Sequence, residues 1–290
     1  MTATTLTAPT AQALAEDHPE FRGWLALLTA VADESAVTGW DAVAPTVTAS
    51  AIPALGGATL TLDPDLVNAW LRRLISVGAA AAPALAGAER LDALAALEAA
   101  MALDTERIDA LADGAGVPRE PLRAVLPLLA YPWLERCGAR LAGSVDREHA
   151  HAWCPICGAW AVLAEARGLE GVRRLRCGRC GGDWRAEWLR CPFCGTDEHA
   201  RLRGLVGDAG GQSRRADGCA ACGAWMKTIA TLGASSVGEL RLLDLATVEL
   251  DAAALARGWS RPSALGAPLN IRVVGRSRTL GSRMRRWWAR

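Results

Sequence analysis

A chain of 290 residues with 32 Lys and Arg against 31 Asp and Glu has a formal charge of +1, so no global basic excess points to nucleic acid or an anionic membrane. At roughly 100–200 residues per domain, the length fits two or so domains, and a hydrophobic fraction of 51% is ample for a buried core. Trp is abundant at 12 beside 2 Phe and 1 Tyr, and Lys227 is the only lysine, a compositional bias more than a functional signal.

Residues 1–20 carry no positive start followed by an apolar run, so they read as a flexible N-terminus and not a secretory signal. Residues 21–148 carry helical signals. In "FRGWLALLTAV", Phe21, Trp24, Leu25, Leu28 and Val31 recur at the spacing of one helical face. The segment Val43–Leu62 reads as a connecting loop. In "DPDLVNAWLRRLISV", Asp63 is placed as an N-cap and Pro64 as the first helical residue, with Val67, Trp70, Leu71, Leu74 and Val77 as the apolar stripe. Further helices are expected over Ala84–Met101, Asp104–Ala112 and Glu120–Leu141, the last kinked or divided by Pro127 and Pro132, each of which removes an internal hydrogen bond. No run of ~18 or more apolar residues predicts a membrane span. The expected location is the cytoplasm, where paired Cys-x-x-Cys motifs serve as metal ligands or redox groups more often than as structural disulfides.

From His151 the pattern changes to short strands between glycine-rich turns. "DWRAEWLR" alternates Trp184, Ala186 and Trp188 against Asp183, Arg185 and Glu187, a period of two that predicts a strand. "WCPICGAW", "RCGRCGGDW", "RCPFCGTDE" and "GCAACGAWM" all contain Cys-x-x-Cys-Gly. Cys154 and Cys157 align with Cys177 and Cys180 across 19 residues, and Cys191 and Cys194 with Cys219 and Cys222 across 24. Such a repeat predicts two tandem modules, residues 149–190 and 191–233. One more helix is expected within residues 234–262, and residues 263–290 read as a basic, mobile tail. The fold class expected is α+β: a helical N-terminal domain, two small β-rich metal modules and a C-terminal helix.

Each Cys-x-x-Cys curls the chain so that two sulfurs point at one spot, and two such turns supply the four thiolates of a tetrahedral ion. The glycine after each second cysteine suits a positive φ that turns backbone N–H groups toward sulfur. A thioredoxin-like dithiol instead requires one motif at a helix N-terminus within a βαβ unit, which this region lacks. Zinc and a single iron fit four thiolates equally well. Cys137, in an apolar helical stretch, reads as a core residue, and His149, His151 and His199 are surplus to sites already holding four cysteines. The arginines Arg173, Arg174, Arg176, Arg179, Arg185 and Arg190 fit compensation of thiolate charge or protein contact better than nucleic-acid binding. "RMRRWWAR" offers a weak surface attachment, with a solvated extension as the simpler alternative. No catalytic constellation is visible, so no enzymatic activity is expected.

"CPICGAWAVLAEARGLEGVRRLRCGRCGGDWRAEWLRCPFCG", "CAACGAWMK" and "LDLATVELDAAALARGWSRPSALGAPL", following a helical domain with "DHPEFRGWLALLTAVADE" and "LPLLAYPWLERCGARLAG", resemble the formate dehydrogenase accessory protein family, FdhE. The resemblance spans about His18 to Leu269, and the tail beyond departs from it. It implies a cytoplasmic maturation protein that binds the catalytic subunit of formate dehydrogenase through rubredoxin-like modules, with iron as the associated metal. The implied ligands are Cys154, Cys157, Cys177 and Cys180 for one ion and Cys191, Cys194, Cys219 and Cys222 for the other. Two further functions share the cysteine pattern: a nucleic-acid-binding zinc ribbon, and a rubredoxin-like electron carrier.

Overall fold

Short polar side chains set the helix starts. Thr10 caps α1 (Ala11–Asp17), Asp63 caps α3 (Pro64–Ala81), Asp92 caps α4 (Ala93–Ala102) and Asp104 caps α5 (Thr105–Ala115), each accepting backbone N–H groups of the first turn. In this computed structural model, which describes residues 8–42, 52–142, 149–206, 213–262 and 264–276, they belong to a helical layer with α2 (Arg22–Ser35), α6 (Arg119–Val125) and α7 (Tyr131–Leu141). The prolines divide the last stretch as expected: residues 126–130 tighten into a 3-10 turn containing Pro127, and Pro132 sits in the first turn of α7.

Two helical predictions shift. Leu91 is extended before the Asp92 cap, so residues 83–90 form a separate 3-10 turn and the helix expected from Ala84 begins at Ala93. On α2 the buried face is Leu25, Leu27, Leu28, Ala30, Val31 and Glu34, whereas Trp24 lies exposed. On α3, Val67, Trp70, Leu71 and Leu74 are buried as predicted, and the Trp70 indole N–H donates to the Leu129 carbonyl at 3.1 Å. Each such buried side chain contributes about 1.5–3 kcal/mol.

The strands β2 (Leu163–Arg167), β3 (Val172–Arg176), β4 (Asp183–Arg185), β5 (Leu202–Val206), β6 (Arg214–Cys219) and β7 (Trp225–Thr231) form one six-stranded sheet in the order β4-β3-β2-β7-β6-β5. Within each cysteine module the three strands are antiparallel, and the modules join where β2 runs parallel to β7, Ala164 facing Thr228. The tandem units therefore share a sheet. Each three-stranded unit alone would leave one more open edge of unpaired N–H and C=O groups, and pairing the two edges satisfies both. The strand predicted over residues 183–190 is regular only at Asp183–Arg185: buried Trp184 donates to the His151 carbonyl at 2.9 Å, while exposed Trp188 turns back to the Gly171 carbonyl.

After the sheet, the single helix predicted is two, α8 (Val237–Leu245) and α9 (Val248–Ala256). Ser236 and Glu239 form a capping box at the first. Buried Thr247 at the break returns its hydroxyl to the Leu243 carbonyl, a local bond that competes with continuing the helix. Lys227, fully buried on β7, ties both helices to the sheet through the Asp244 carbonyl at 2.7 Å and the Asp251 carboxylate at 2.8 Å.

Part of the expected loop and part of the expected tail meet. β1 (Thr59–Leu62) pairs in parallel with the last strand, β8 (Arg272–Gly275), Thr59 facing Arg272. Leu60 and Leu62 point into the core from β1, and Leu269 and Ile271 are buried ahead of β8. The alternation in "TLTL" is too short to announce a strand whose partner lies more than two hundred residues away. Residues 43–51 of the expected loop, and 263 and 277–290 of the expected tail, lie outside the described residues.

Candidate metal centres

All four Cys-x-x-Cys-Gly segments fold into the same turn. The N–H of the glycine bonds the carbonyl of the first cysteine in each: Gly158 to Cys154, Gly181 to Cys177, Gly195 to Cys191 and Gly223 to Cys219, at 2.8 to 3.0 Å. The N–H of that first cysteine then bonds a carbonyl five residues on, at Ala159, Gly182, Thr196 and Ala224 respectively. The four glycines have φ between 70° and 77°, a region that costs a residue with a Cβ roughly 1–2 kcal/mol. The repeated sequence is thus a repeated backbone conformation.

The turns face each other in pairs. Cys154, Cys157, Cys177 and Cys180 form the first group, and Cys191, Cys194, Cys219 and Cys222 the second; within each, the sulfurs lie within 4.8 Å of one another. Cys154 Sγ to Cys180 Sγ and Cys157 Sγ to Cys177 Sγ are 3.5 Å, and Cys191 to Cys222 and Cys194 to Cys219 are 3.8 Å. Four sulfurs placed about 2.3 Å from a central ion in a tetrahedron stand about 3.8 Å apart. Both groups therefore have the donors and the spacing to hold a metal ion, and the Ile156 N–H approaches Cys154 Sγ at 3.4 Å, as ligating sulfur requires. Burial pushes the Cys154 and Cys191 thiols up, whereas hydrogen bonds from Cys154, Cys157 and Cys180 hold the Cys177 thiol well below its ordinary value.

The surroundings of the two groups differ. The first is wholly buried at the junction of the sheet and the helical layer. The segment after Pro53 bonds to its first knuckle, Ala54 N–H to the Pro155 carbonyl and Leu55 N–H to that of Ile156. Arg179, within the second knuckle, donates to the Ala100 and Met101 carbonyls at the C-terminus of α4, where a cation suits the helix dipole. Arg241 of α8 donates to the Gly178 carbonyl and pairs with Glu135 of α7 at 2.7 Å. In the second group Cys191 and Cys219 are buried but Cys194 and Cys222 are exposed.

The other candidates fall where their chemistry directs them. Cys137 is buried in the helical core, and burial raises its thiol to about 12. His149, His151 and His199 belong to neither sulfur group; His149 contacts the Trp153 carbonyl at 2.9 Å, and His151 stacks on the Trp153 ring. Arg173, Arg174, Arg176 and Arg179 engage carbonyls and carboxylates of the chain itself, with Arg176 to Glu165 at 2.6 Å and Arg174 to Asp183 at 2.6 Å. Arg185 and Arg190 are exposed. Two fully buried groups had no signal in the sequence, Glu165 and Lys227, because each owes its role to partners supplied by the fold.

No protein-family model matches the chain. It is similar to a protein named FdhE homolog from Stutzerimonas stutzeri, 31% identical over 88% of this chain and 86% of that protein, and to another of that name from Edwardsiella ictaluri, 26% identical over 86% and 83%. Its fold is that of the crystal structure of the FdhE protein from Pseudomonas aeruginosa, at a TM-score of 0.51 and 21% identity, covering 91% of this chain and 99% of that one. With two tetracysteine groups on an α+β fold and 31% identity to the Stutzerimonas stutzeri protein along most of both sequences, the chain belongs to the FdhE family of formate dehydrogenase accessory proteins.

Proposed function

We propose that this protein is a non-enzymatic cytoplasmic maturation factor that binds the catalytic subunit of formate dehydrogenase, and that its eight paired cysteines ligate two mononuclear ions. Cys154, Cys157, Cys177 and Cys180 hold the first, and Cys191, Cys194, Cys219 and Cys222 the second. Iron takes first place by family, with zinc as the alternative for the same four-thiolate geometry. Such an ion supplies a tetrahedral crosslink and, if iron, one exchangeable electron. The protein supplies the rest: buried thiolates at the first centre fasten the sheet to the helices, and the open face of the second, with Cys194 and Cys222, is presented to the partner.

The observation that carries this proposal is the half-open second centre, because a purely internal staple has no need of two exposed ligands. Nucleic-acid binding draws little support, since five of the six ribbon arginines bond within the chain, Arg190 through the Gly195 carbonyl. Among the described residues no helix is long and apolar enough to cross a membrane. The test is anaerobic purification from cells that express the dehydrogenase, with elemental analysis and mass spectrometry of the co-purifying proteins. Two ions per chain and recovery of the catalytic subunit are the expected result. Absence of that subunit from the purified material overturns the docking role, and a colourless zinc protein overturns iron.

A further inference from the structure

Beside the second centre lies a cavity of about 330 Å³, bounded by the first knuckle, by β6 and by the edge strand β5. Four arginines, Arg173, Arg190, Arg203 and Arg215, line it against one carboxylate, Asp217. That carboxylate is already committed: it accepts from the Thr228 hydroxyl at 2.6 Å and from Arg215 at 2.8 Å, with Arg173 at 3.4 Å. Among the described residues Arg203 bonds only the carbonyls of Ala200 and Leu202, and Arg190 donates through Nε to the Gly195 carbonyl at 3.1 Å, with its terminal nitrogen 3.9 Å from the exposed Glu187 carboxylate. The lining therefore carries three net positive charges. A divalent ion with four thiolates carries two negative ones, so neutralising the centre leaves a cation over.

The arginine heads are also held in place. The guanidiniums of Arg215 and Arg173 lie 4.5 and 5.3 Å from the centre of the Trp188 ring, a cation–π arrangement that fixes two of the four. Leu189, Pro192, Phe193 and Leu202 complete the wall with apolar surface. The volume is at the low end of the roughly 300–1,000 Å³ of ligand sites, which suits a small ligand. We propose that this cavity binds a small organic anion, its single carboxylate or phosphate head against Arg190, Arg203 and Arg215 and its apolar body against Phe193 and Leu202.

The full-length metal-loaded protein, titrated calorimetrically with benzoate, phenyl phosphate and neutral benzamide, tests this. At least one of the two anions binds, one per chain, and whichever is tighter identifies the head; benzamide does not bind. Loss of one charge-assisted contact in Arg203→Ala or Arg190→Ala weakens anion binding about tenfold, while Arg72→Ala in the helical layer leaves it unchanged and all three retain both ions. The proposal is overturned if neither anion binds, if benzamide binds equally well, or if Arg203→Ala and Arg190→Ala lower metal content without changing anion affinity. The last outcome would show arginines that serve only to offset thiolate charge.

Discussion

The two cysteine centres have the same design of two facing turns and opposite settings. Around the first, three glycines are required by space, although a Cβ on Gly181 would find its nearest neighbour, Val237, at 3.5 Å. A Cβ on Gly138 of α7 would come within 1.7 Å of the Cys180 carbonyl oxygen, one on Gly158 within 2.2 Å of the Ala267 carbonyl, and one on Gly182 within 2.8 Å of Cys154 Sγ. At the two knuckle glycines of the second, a Cβ on Gly195 would find its nearest neighbour at 3.6 Å, the end of Arg190, and one on Gly223 would meet nothing within 4 Å, although one on Gly218, just before Cys219, would lie 2.3 Å from the Trp259 ring. One motif thus serves as a core element in one place and as a surface element in the other. The difference lies in what the rest of the chain lays against it, and it predicts different consequences for the same substitution.

Replacing Cys154 or Cys177 with Ser produces the largest effect. Structural tetrahedral sites contribute an apparent ~10–16 kcal/mol, comparable with the whole stability of a domain at about 5–15 kcal/mol. The first centre shares one core with the helical layer, so both parts are lost together. Insoluble protein, or soluble protein without near-ultraviolet circular dichroism, is expected. Cys194→Ser or Cys222→Ser instead leaves a folded protein with one ion per chain by elemental analysis. If the two sets of variants unfold alike, the centres are equivalent and the contrast fails.

Metal release sharpens the same contrast without mutation. A chelator reaches the second centre through exposed Cys194 and Cys222, whereas the first opens only when the core does. Release monitored by a colorimetric metal indicator should show two phases of equal amplitude, and mass spectrometry after thiol alkylation should place the fast phase on Cys194 and Cys222. A single phase would mean that the centres open together.

Gly138→Ala comes next. Helix α7 approaches the second knuckle so closely that an added methyl must displace backbone, at a cost of about 3 kcal/mol. The expected result is a lower thermal midpoint with both ions retained at low temperature. An unchanged midpoint would show that the helical layer can shift away from the first centre, contrary to a fused core.

What the sequence reveals follows from the range of the interactions. The knuckles are legible because each is closed by bonds spanning four or five residues, and the helix cap at Asp63 is just as local. The pairing of β1 with β8 and of β2 with β7 is not, because each joins segments far apart whose hydrogen-bonding groups carry no side-chain signature. Trp24 illustrates another limit: its spacing fits the buried face of α2, but which side is covered depends on neighbours that periodicity does not name. The contrast between the centres was equally hidden. Cys-Pro-Ile-Cys-Gly and Cys-Pro-Phe-Cys-Gly are nearly identical, and Ala54, Gly138, Arg241 and Ala267, which enclose the first, come from four remote parts of the chain.

The smallest effect is expected from Gly223→Ala. Its φ of 71° is unfavourable for any residue with a Cβ, yet space around it is open, so only the backbone cost of roughly 1 kcal/mol remains. The fold and the metal stoichiometry should persist, and the change should appear as faster loss of the second ion to a chelator. The matching change at the first centre, Gly158→Ala, adds to the same backbone cost a collision with the Ala267 carbonyl. The two glycines occupy equivalent places in equivalent turns, with φ of 70° and 71°. Any excess of the Gly158 effect over the Gly223 effect therefore measures what burial adds to a knuckle, and equal effects would mean that the segment carrying Ala267 yields without cost.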